Sequence, residues 1–353
     1  MTEGINRSAV SDWLLANVAG LRPPFEFALI AGGRSNLTYA VTDAAGRRIV
    51  LRRPPISHVL PTAHDMGREH RVISALRDTP VPVPAALGYC ADEAVNGRPF
   101  YVMDFVDGYV LRGPAEAAAA LDEATRMTAG NDLVDVLVAI HQLPVDAIGL
   151  GDLARHHGYI ERQLRRWHRQ FGHSQQQARE AGVYRPVPLV DEVHDLLAGR
   201  VPAQQGTALV HGDYRLDNTI VSAQGKVLAV LDWELCTLGD ALADVGTLMA
   251  YWGGGPGPAA AYDPLRFAAT ALPGFPSRAE VAERYAARSG RDLTNLGFYV
   301  AFAQWKLACI GEGVFVRHAA NAMGSGDSDA AALGRGVEER ARQALASLNS
   351  HWR

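Results

Sequence analysis

His211-Gly212-Asp213-Tyr214-Arg215-Leu216-Asp217-Asn218 stands between two apolar runs, Ala208-Leu209-Val210 and Thr219-Ile220-Val221. Fourteen positions beyond Asn218, the run Val227-Leu228-Ala229-Val230-Leu231 closes on Asp232 and Trp233. The apolar runs have strand length and turn residues at their ends. Asp213 and Asn218 therefore share a loop between strands, and Asp232 lies at the end of the next strand. Turn shaping accounts for an Asp and an Asn in a loop, but a turn does not require a third carboxylate at a strand end. Phosphoryl transfer on a magnesium nucleotide uses this set: one carboxylate for the acceptor hydroxyl, an amide oxygen and a second carboxylate for the metal.

The chain's 353 residues suffice for one large domain or two lobes with a substantial core. The formal net charge of -4 gives a nucleic-acid partner no electrostatic support. Cys90, Cys236 and Cys309 are odd in number and widely spaced, so neither a disulfide framework nor a clustered zinc site fits them. Residues 1–20 carry Glu3, Arg7 and Asp12 and read as no signal peptide. No uninterrupted apolar stretch reaches membrane-spanning length. The expectation is a soluble cytoplasmic protein with no nucleic-acid and no membrane partner. The sequence leaves the oligomeric state open.

An amphipathic helix with Val10, Trp13, Leu14 and Val18 on one face, stopped at Gly20, opens the chain. Strands are expected over Phe25 to Ile30, Leu37 to Thr42, Ile49 to Arg52, Ala86 to Cys90 and Phe100 to Phe105, with one helix over about Asp65 to Arg77. Beyond Gly108 the composition changes. Residues 115–142 and 158–171 have helical stripes, strand character is confined to 208–232, and Phe298, Phe302, Trp305 and Cys309 recur at helical spacing. Gly253 to Gly257 reads as a flexible loop. The layout is a β-rich first lobe, residues 1–105, joined to a mostly helical second lobe, residues 106–353.

Three further constellations bear on chemistry. The turn Gly32-Gly33-Arg34-Ser35-Asn36 lies between two strands and offers unobstructed backbone N–H groups, which can close over phosphates or simply turn a hairpin. Glu69 is offset by three, four and seven from Met66, Ile73 and Leu76, so it lies on the core-facing stripe of its helix. A carboxylate there needs a cation. Arg52, at the end of the preceding strand, supplies one, with the adjacent Arg53 as competitor. Such a pair holds α- and β-phosphates in phosphoryl-transfer sites or serves only as a structural ion pair. The strand at 101–108 leaves one lobe for the other. Its edge can read adenine through the Asp104 carbonyl and the Val106 amide, with Met103 behind the pocket.

These residues together resemble the aminoglycoside-phosphotransferase-like, or choline-kinase-like, branch of the protein-kinase fold. The matching pieces are Gly32 to Tyr39, Val50 to Arg52, Glu69, Met103 to Gly108, His211 to Asn218, Leu231 to Trp233 and Gly239 through Asp244. Arg52-Arg53-Pro54-Pro55, Pro82-Val83-Pro84 and Arg98 to Gly108 bring the chain nearest the kinase-like domain found fused to certain acyl-CoA dehydrogenases. The resemblance implies an α+β, two-lobed protein-kinase-like fold, with a small antiparallel β-sheet N-lobe and a mostly helical C-lobe. It implies ATP and Mg²⁺ as cofactors. Asp213 becomes the catalytic base or hydroxyl-orienting group, and Asn218 and Asp232 the metal ligands. Gly33, Ser35, Arg52, Glu69, Met103, Asp104 and Val106 become nucleotide contacts. His211 supports the loop, and Asp244 hydrogen-bonds within it. Arg52 stands where kinases typically carry lysine, and the glycine turn lacks the full set of three glycines.

The expected activity is transfer of the γ-phosphate to a hydroxyl of a small molecule. The arginine-rich stretch 150–175 favours an anionic acceptor, a hydroxyacyl-CoA or hydroxy acid. The alternatives are an aminoglycoside, amino-alcohol or sugar kinase, and a nucleotide-binding pseudokinase module. His156, His157, His168 and His173 lack partners at ligand spacing and read as a polar helix. His141 is expected to pack near the catalytic loop, Trp305 to pack in the core or line the acceptor pocket, and Cys236 to be no nucleophile.

Overall fold

The computed structural model describes residues 4–31, 36–55, 65–253, 268–321 and 328–349. Helix α1 (Arg7–Asn17) is capped by the Asn6 side chain and buries Val10 and Leu14. Strands β1 (Glu26–Ala31), β2 (Leu37–Thr42) and β3 (Arg48–Arg53) follow, then helix α2 (Met66–Leu76) with Asp65 as its N-cap. Strand β4 (Ala86–Cys90), the one-turn helix α3 (Glu93–Asn96) and strand β5 (Phe100–Asp104) complete a five-stranded antiparallel sheet of order β1-β2-β3-β5-β4.

Strand alternation sorts this sheet's two faces. Ile49, Leu51, Phe100 and Val102 pack with α1 in one core. Val50, Tyr101 and Met103 pack with α2 in another, which runs without interruption into the helical lobe. Arg52 shares the parity of Val50, and Arg53 that of Leu51. The choice between the two arginines follows from that alternation.

The connector after β5 passes close over the large lobe. Tyr109 and Val221 exchange backbone hydrogen bonds of 2.8 and 2.9 Å. A Cβ on Gly108 would fall 2.5 Å from the Ile220 side chain, so only glycine permits this approach. Helices α4 (Pro114–Ala120) and α5 (Glu123–His141) occupy the stretch expected as one helix over 115–142. Asp122 breaks it by capping α5, its carboxylate accepting from the Thr125 N–H at 2.8 Å.

Helix α6 (Tyr159–Glu180), carrying Trp167 and Phe171, and helix α7 (Pro188–Ala198) lead into the strands β6 (Ala208–Val210), β7 (Thr219–Val221) and β8 (Val227–Val230). Strand character does not end at 232. A further strand, β9 (Thr237–Gly239), pairs antiparallel with β6, while β7 pairs with β8. Helices α8 (Leu242–Tyr251), α9 (Arg278–Ser289), α10 (Leu296–Asn321) and α11 (Ser328–Leu348) complete the large lobe. Trp305, on α10, is fully buried and donates its indole N–H to the Val190 carbonyl, so it is a core residue. No helix among the described residues is long and apolar enough to cross a membrane.

Candidate active site

The β6–β7 loop places Asp213 and Asn218 side by side. The Asn218 Nδ2 donates to the Asp213 carbonyl at 2.8 Å and to its Oδ2 at 2.9 Å. With the amide nitrogen committed there, the Asn218 oxygen is the acceptor left for a cation. The loop itself hangs on Asp244, buried in α8. Its Oδ2 accepts the His211 N–H at 2.6 Å and its Oδ1 the Gly212 N–H at 2.8 Å. Gly212 adopts φ +87, and a Cβ there would meet the Leu235 carbonyl at 2.8 Å. His211 spans the site, with Nε2 at 2.8 Å from the Leu231 carbonyl and Nδ1 accepting the Asp213 N–H at 3.3 Å.

His141 stands behind this arrangement, fully buried, with Nε2 at 3.3 Å from Asp244 and Nδ1 at 2.7 Å from the Tyr285 hydroxyl. Burial pulls its pKa below the usual histidine range against the opposing pull of Asp244. Asp244 is held below the usual carboxylate range. Burial would raise it, but His141, His211 and the Gly212 amide outweigh burial.

Asp232 arrives from the end of β8. Among the described residues it is the one non-glycine with positive φ, at φ 64, ψ 56. That left-handed backbone costs a non-glycine residue on the order of 1–3 kcal/mol, and such residues cluster where function requires them. Arg52 ion-pairs with the Asp232 carboxylate, and its Nε lies 3.3 Å from Glu69 Oε2. Arg53 points to the other face and donates to the Gly4 and Asn96 carbonyls. Glu69 is 1% exposed, and neither of its oxygens reaches full hydrogen-bond geometry with a partner among the described residues. Burial therefore pushes its pKa up to about 6, although Arg52 works in the other direction. Burial alone would lower the pKa of Arg52, but Glu69, Tyr101 and Asp232 hold it well above the usual value.

Two contributors were not legible in the sequence. Glu234, two residues after Asp232, accepts from Asn36 Nδ2 at 3.1 Å. Burial, with Asp232 beside it, pushes its pKa up to about 7. Arg215 lies with Nε 3.3 Å from Asp213 Oδ2 and Nη1 2.5 Å from Asp217 Oδ2, and its guanidinium is over the Tyr251 ring. Arg112, Arg215, Asp217, Tyr251 and Thr270, with Leu111 and Leu248, line a small cavity, and Arg215 links it to Asp213. Spacing alone gives no sign that Glu234 meets Asn36 or that Arg215 meets Tyr251, because those contacts join segments far apart in the chain.

Asp104 closes β5, its carboxylate near Arg47, with Met103 buried beside it and Val106 half-buried in the connector. Gly33 and Ser35 lie outside the described residues, as do Gly254 to Gly257. Arg162 is spent on the Arg155 and His157 carbonyls, whereas Arg166 is exposed with its guanidinium against Trp167. Cys236 is buried, and burial pushes its thiol pKa upward.

A family profile described as Phosphotransferase enzyme family matches residues 26–288. The mouse acyl-CoA dehydrogenase family member 10 is 34% identical over 297 residues, covering 83% of this chain and 27% of that protein. The chicken acyl-CoA dehydrogenase family member 11 is 33% identical over 301 residues, covering 82% of this chain and 36% of that protein. The chain thus spans only about a quarter to a third of these relatives. A solved structure from Ralstonia eutropha JMP134, described as a candidate aminoglycoside phosphotransferase, is 32% identical, covers 97% of both chains and superposes with TM-score 0.78. An aminoglycoside phosphotransferase in ternary complex with AMP-PNP and hygromycin B shares the fold at TM-score 0.58 and 17% identity, over 95% of this chain and 99% of that one. The profile runs from the first residue of β1 into α9, and the fold agrees with it: this chain belongs to the phosphotransferase enzyme family and has a protein-kinase-like fold.

Proposed function

We propose that this protein is an ATP- and Mg²⁺-dependent kinase of a small molecule, with Asp213 facing the acceptor hydroxyl. The observation that carries this reading is the convergence at the lobe junction. Asp213 and Asn218 are tied together on one loop, and Asp232 is brought beside Arg52 by a backbone that a non-glycine rarely adopts. The donor set suits a hard cation, since Asn218 offers an amide oxygen and Asp232 a carboxylate, with nucleotide phosphates to complete the shell. When bound, the metal neutralises charge on the transferring phosphoryl group.

The chain's own residues do the rest. Arg52, steadied by Glu69, holds phosphate oxygens. The Asp104 carbonyl and Val106 amide take adenine over Met103, and Gly33 and Ser35 contribute to binding the phosphates. Asp213 orients the attacking hydroxyl and accepts its proton, so positioning and charge supply most of the rate gain.

The acceptor is a small molecule with an anionic group and an apolar body, such as a hydroxy acid or a hydroxyacyl-CoA. Arg112, with Leu111 and Leu248 around it, is the cation offered to it, since Arg215 is shared with Asp213 and Asp217. The names of the acyl-CoA dehydrogenase relatives support the same choice. The test is magnesium-dependent transfer from ATP over a panel of hydroxy acids, hydroxyacyl-CoAs, sugars, amino alcohols and aminoglycosides. Asp213→Asn is expected to lower turnover by roughly 10²- to 10⁴-fold while ATP still binds. Wild-type turnover in that variant sinks the reading. ATP binding without transfer to any acceptor leaves a nucleotide-binding module instead.

A further inference from the structure

Of the 34 basic residues in this chain, Lys226 and Lys306 are the only lysines. Lys226 is exposed and pairs with Asp132 at 2.7 Å. Lys306, on α10, is 8% exposed. Its Nζ donates to the Gly212 carbonyl at 2.7 Å and lies 5.4 Å from the Trp167 ring centroid. An ammonium is costly to bury, so its place needs a reason. The charged groups facing it are Asp213 and Asp244, which favour it, and Arg166, which opposes it. No carboxylate comes within ion-pair distance of it among the described residues. The contact it makes is with backbone.

That backbone is the peptide joining Gly212 to Asp213. Its carbonyl accepts from Lys306 and its N–H donates to His211 Nδ1. A peptide group is planar, so fixing both of its polar ends fixes the plane and the direction in which the Asp213 Cα leaves it. Gly212, free of a Cβ, would otherwise let this peptide rotate.

We propose that Lys306 is a positioning residue for phosphoryl transfer, acting on Asp213 through the Gly212 carbonyl. The inference rests on the reading of Asp213 as the hydroxyl-facing group. The shape of the site supports it. A compact ammonium fits between a carbonyl and an indole, whereas a guanidinium is a wide planar fork. Burial pulls the Lys306 pKa below the usual lysine range, and Asp213 and Asp244 pull it partly back.

The scarcity of lysine makes a direct test available. Protein labelled with ¹³Cε-lysine gives two lysine signals, assigned through Lys226→Gln. Asp213→Asn is expected to shift the Lys306 signal and leave that of Lys226 in place. A Lys306 signal indifferent to Asp213→Asn overturns the proposal. In kinetics, Lys306→Met is expected to lower kcat about 100-fold, the cost of a misplaced catalytic group, with KM for ATP unchanged. Lys306→Arg is expected to leave most of that loss in place. Full turnover in Lys306→Arg, or a loss confined to ATP affinity, also overturns it. If Lys306→Met fails to fold, Lys306→Arg and the lysine signals still decide. If the wild-type protein transfers phosphate to no acceptor, the kinase reading fails, and the lysine signals alone decide whether Lys306 and Asp213 are coupled.

Discussion

Arg52 reaches the site as a charge meeting two charges, Glu69 from the helix beneath it and Asp232 from the other lobe. Asp213 reaches the same site through a chain of short contacts, in which Asp244 holds the two N–H groups before it, His211 its own N–H and Asn218 its carbonyl and carboxylate. The first half is fixed by long side chains carrying net charge, and its geometry depends on which of them is ionised. The second half is fixed by backbone and depends on whether buried donors and acceptors stay paired. Phosphates need a charged partner that can adjust to them, whereas an acceptor hydroxyl needs a base that does not move.

If that division holds, the largest loss of stability comes from the backbone half. Asp244→Ala strips the His211 and Gly212 N–H groups of their shared acceptor and leaves His141 without its carboxylate, all within the core. Breaking a buried charged network of this kind costs about 3–5 kcal/mol, and turnover should vanish with it. Denaturant unfolding checks this; a loss below about 1 kcal/mol would show that the loop holds its shape without Asp244.

What the sequence revealed of each half follows the same physics. Asp213, Asn218 and Asp232 are legible because the strand–loop–strand frame around them is local. Glu69 shows itself by standing on an apolar stripe, where a lone carboxylate is out of place. The sequence leaves Arg52 and Arg53 in competition for Glu69, and the structure decides by putting them on opposite faces of the strand. The strand β9 has three residues, too few to show a period, and exists by pairing with β6. Lys306 sits 94 residues from the carbonyl it holds, and nothing in the apolar pattern of α10 says where its ammonium goes. Glu234 is hidden for the same reason, since its partner Asn36 lies far away in the chain.

Arg52→Met tests the charged half and should cost less stability than Asp244→Ala. The variant leaves Glu69 buried without a cation, but Glu69 has an escape: it can take up a proton. Its pKa already stands at about 6, so at neutral pH protonation caps the electrostatic loss at about 1.4 kcal/mol. Asp232, part exposed, can turn to water. The larger change should appear in nucleotide affinity. Losing a charged hydrogen-bonding partner weakens ATP binding by roughly 10- to 100-fold. Titration calorimetry with ATP, run beside thermal unfolding, separates the two. A large loss of stability with unchanged ATP affinity would make Arg52 a structural residue.

The smallest effect lies in pH. Glu69 moves from the ordinary glutamate value of 4.5 to about 6 on folding. Between these values the folded protein keeps a proton that the unfolded chain has lost. Stability owed to this group therefore falls as pH rises through the window, by at most about 2 kcal/mol, and is level above it. ATP affinity should move the other way, because the carboxylate that steadies Arg52 exists only above about pH 6. Other buried carboxylates titrate nearby, Glu234 up to about 7 among them, so the measurement is the difference between wild type and Glu69→Gln. That difference should slope in opposite directions for unfolding free energy and for ATP affinity across the same interval. Parallel slopes would mean that the proton on Glu69 does not govern Arg52, and that both halves of the site are held by shape alone.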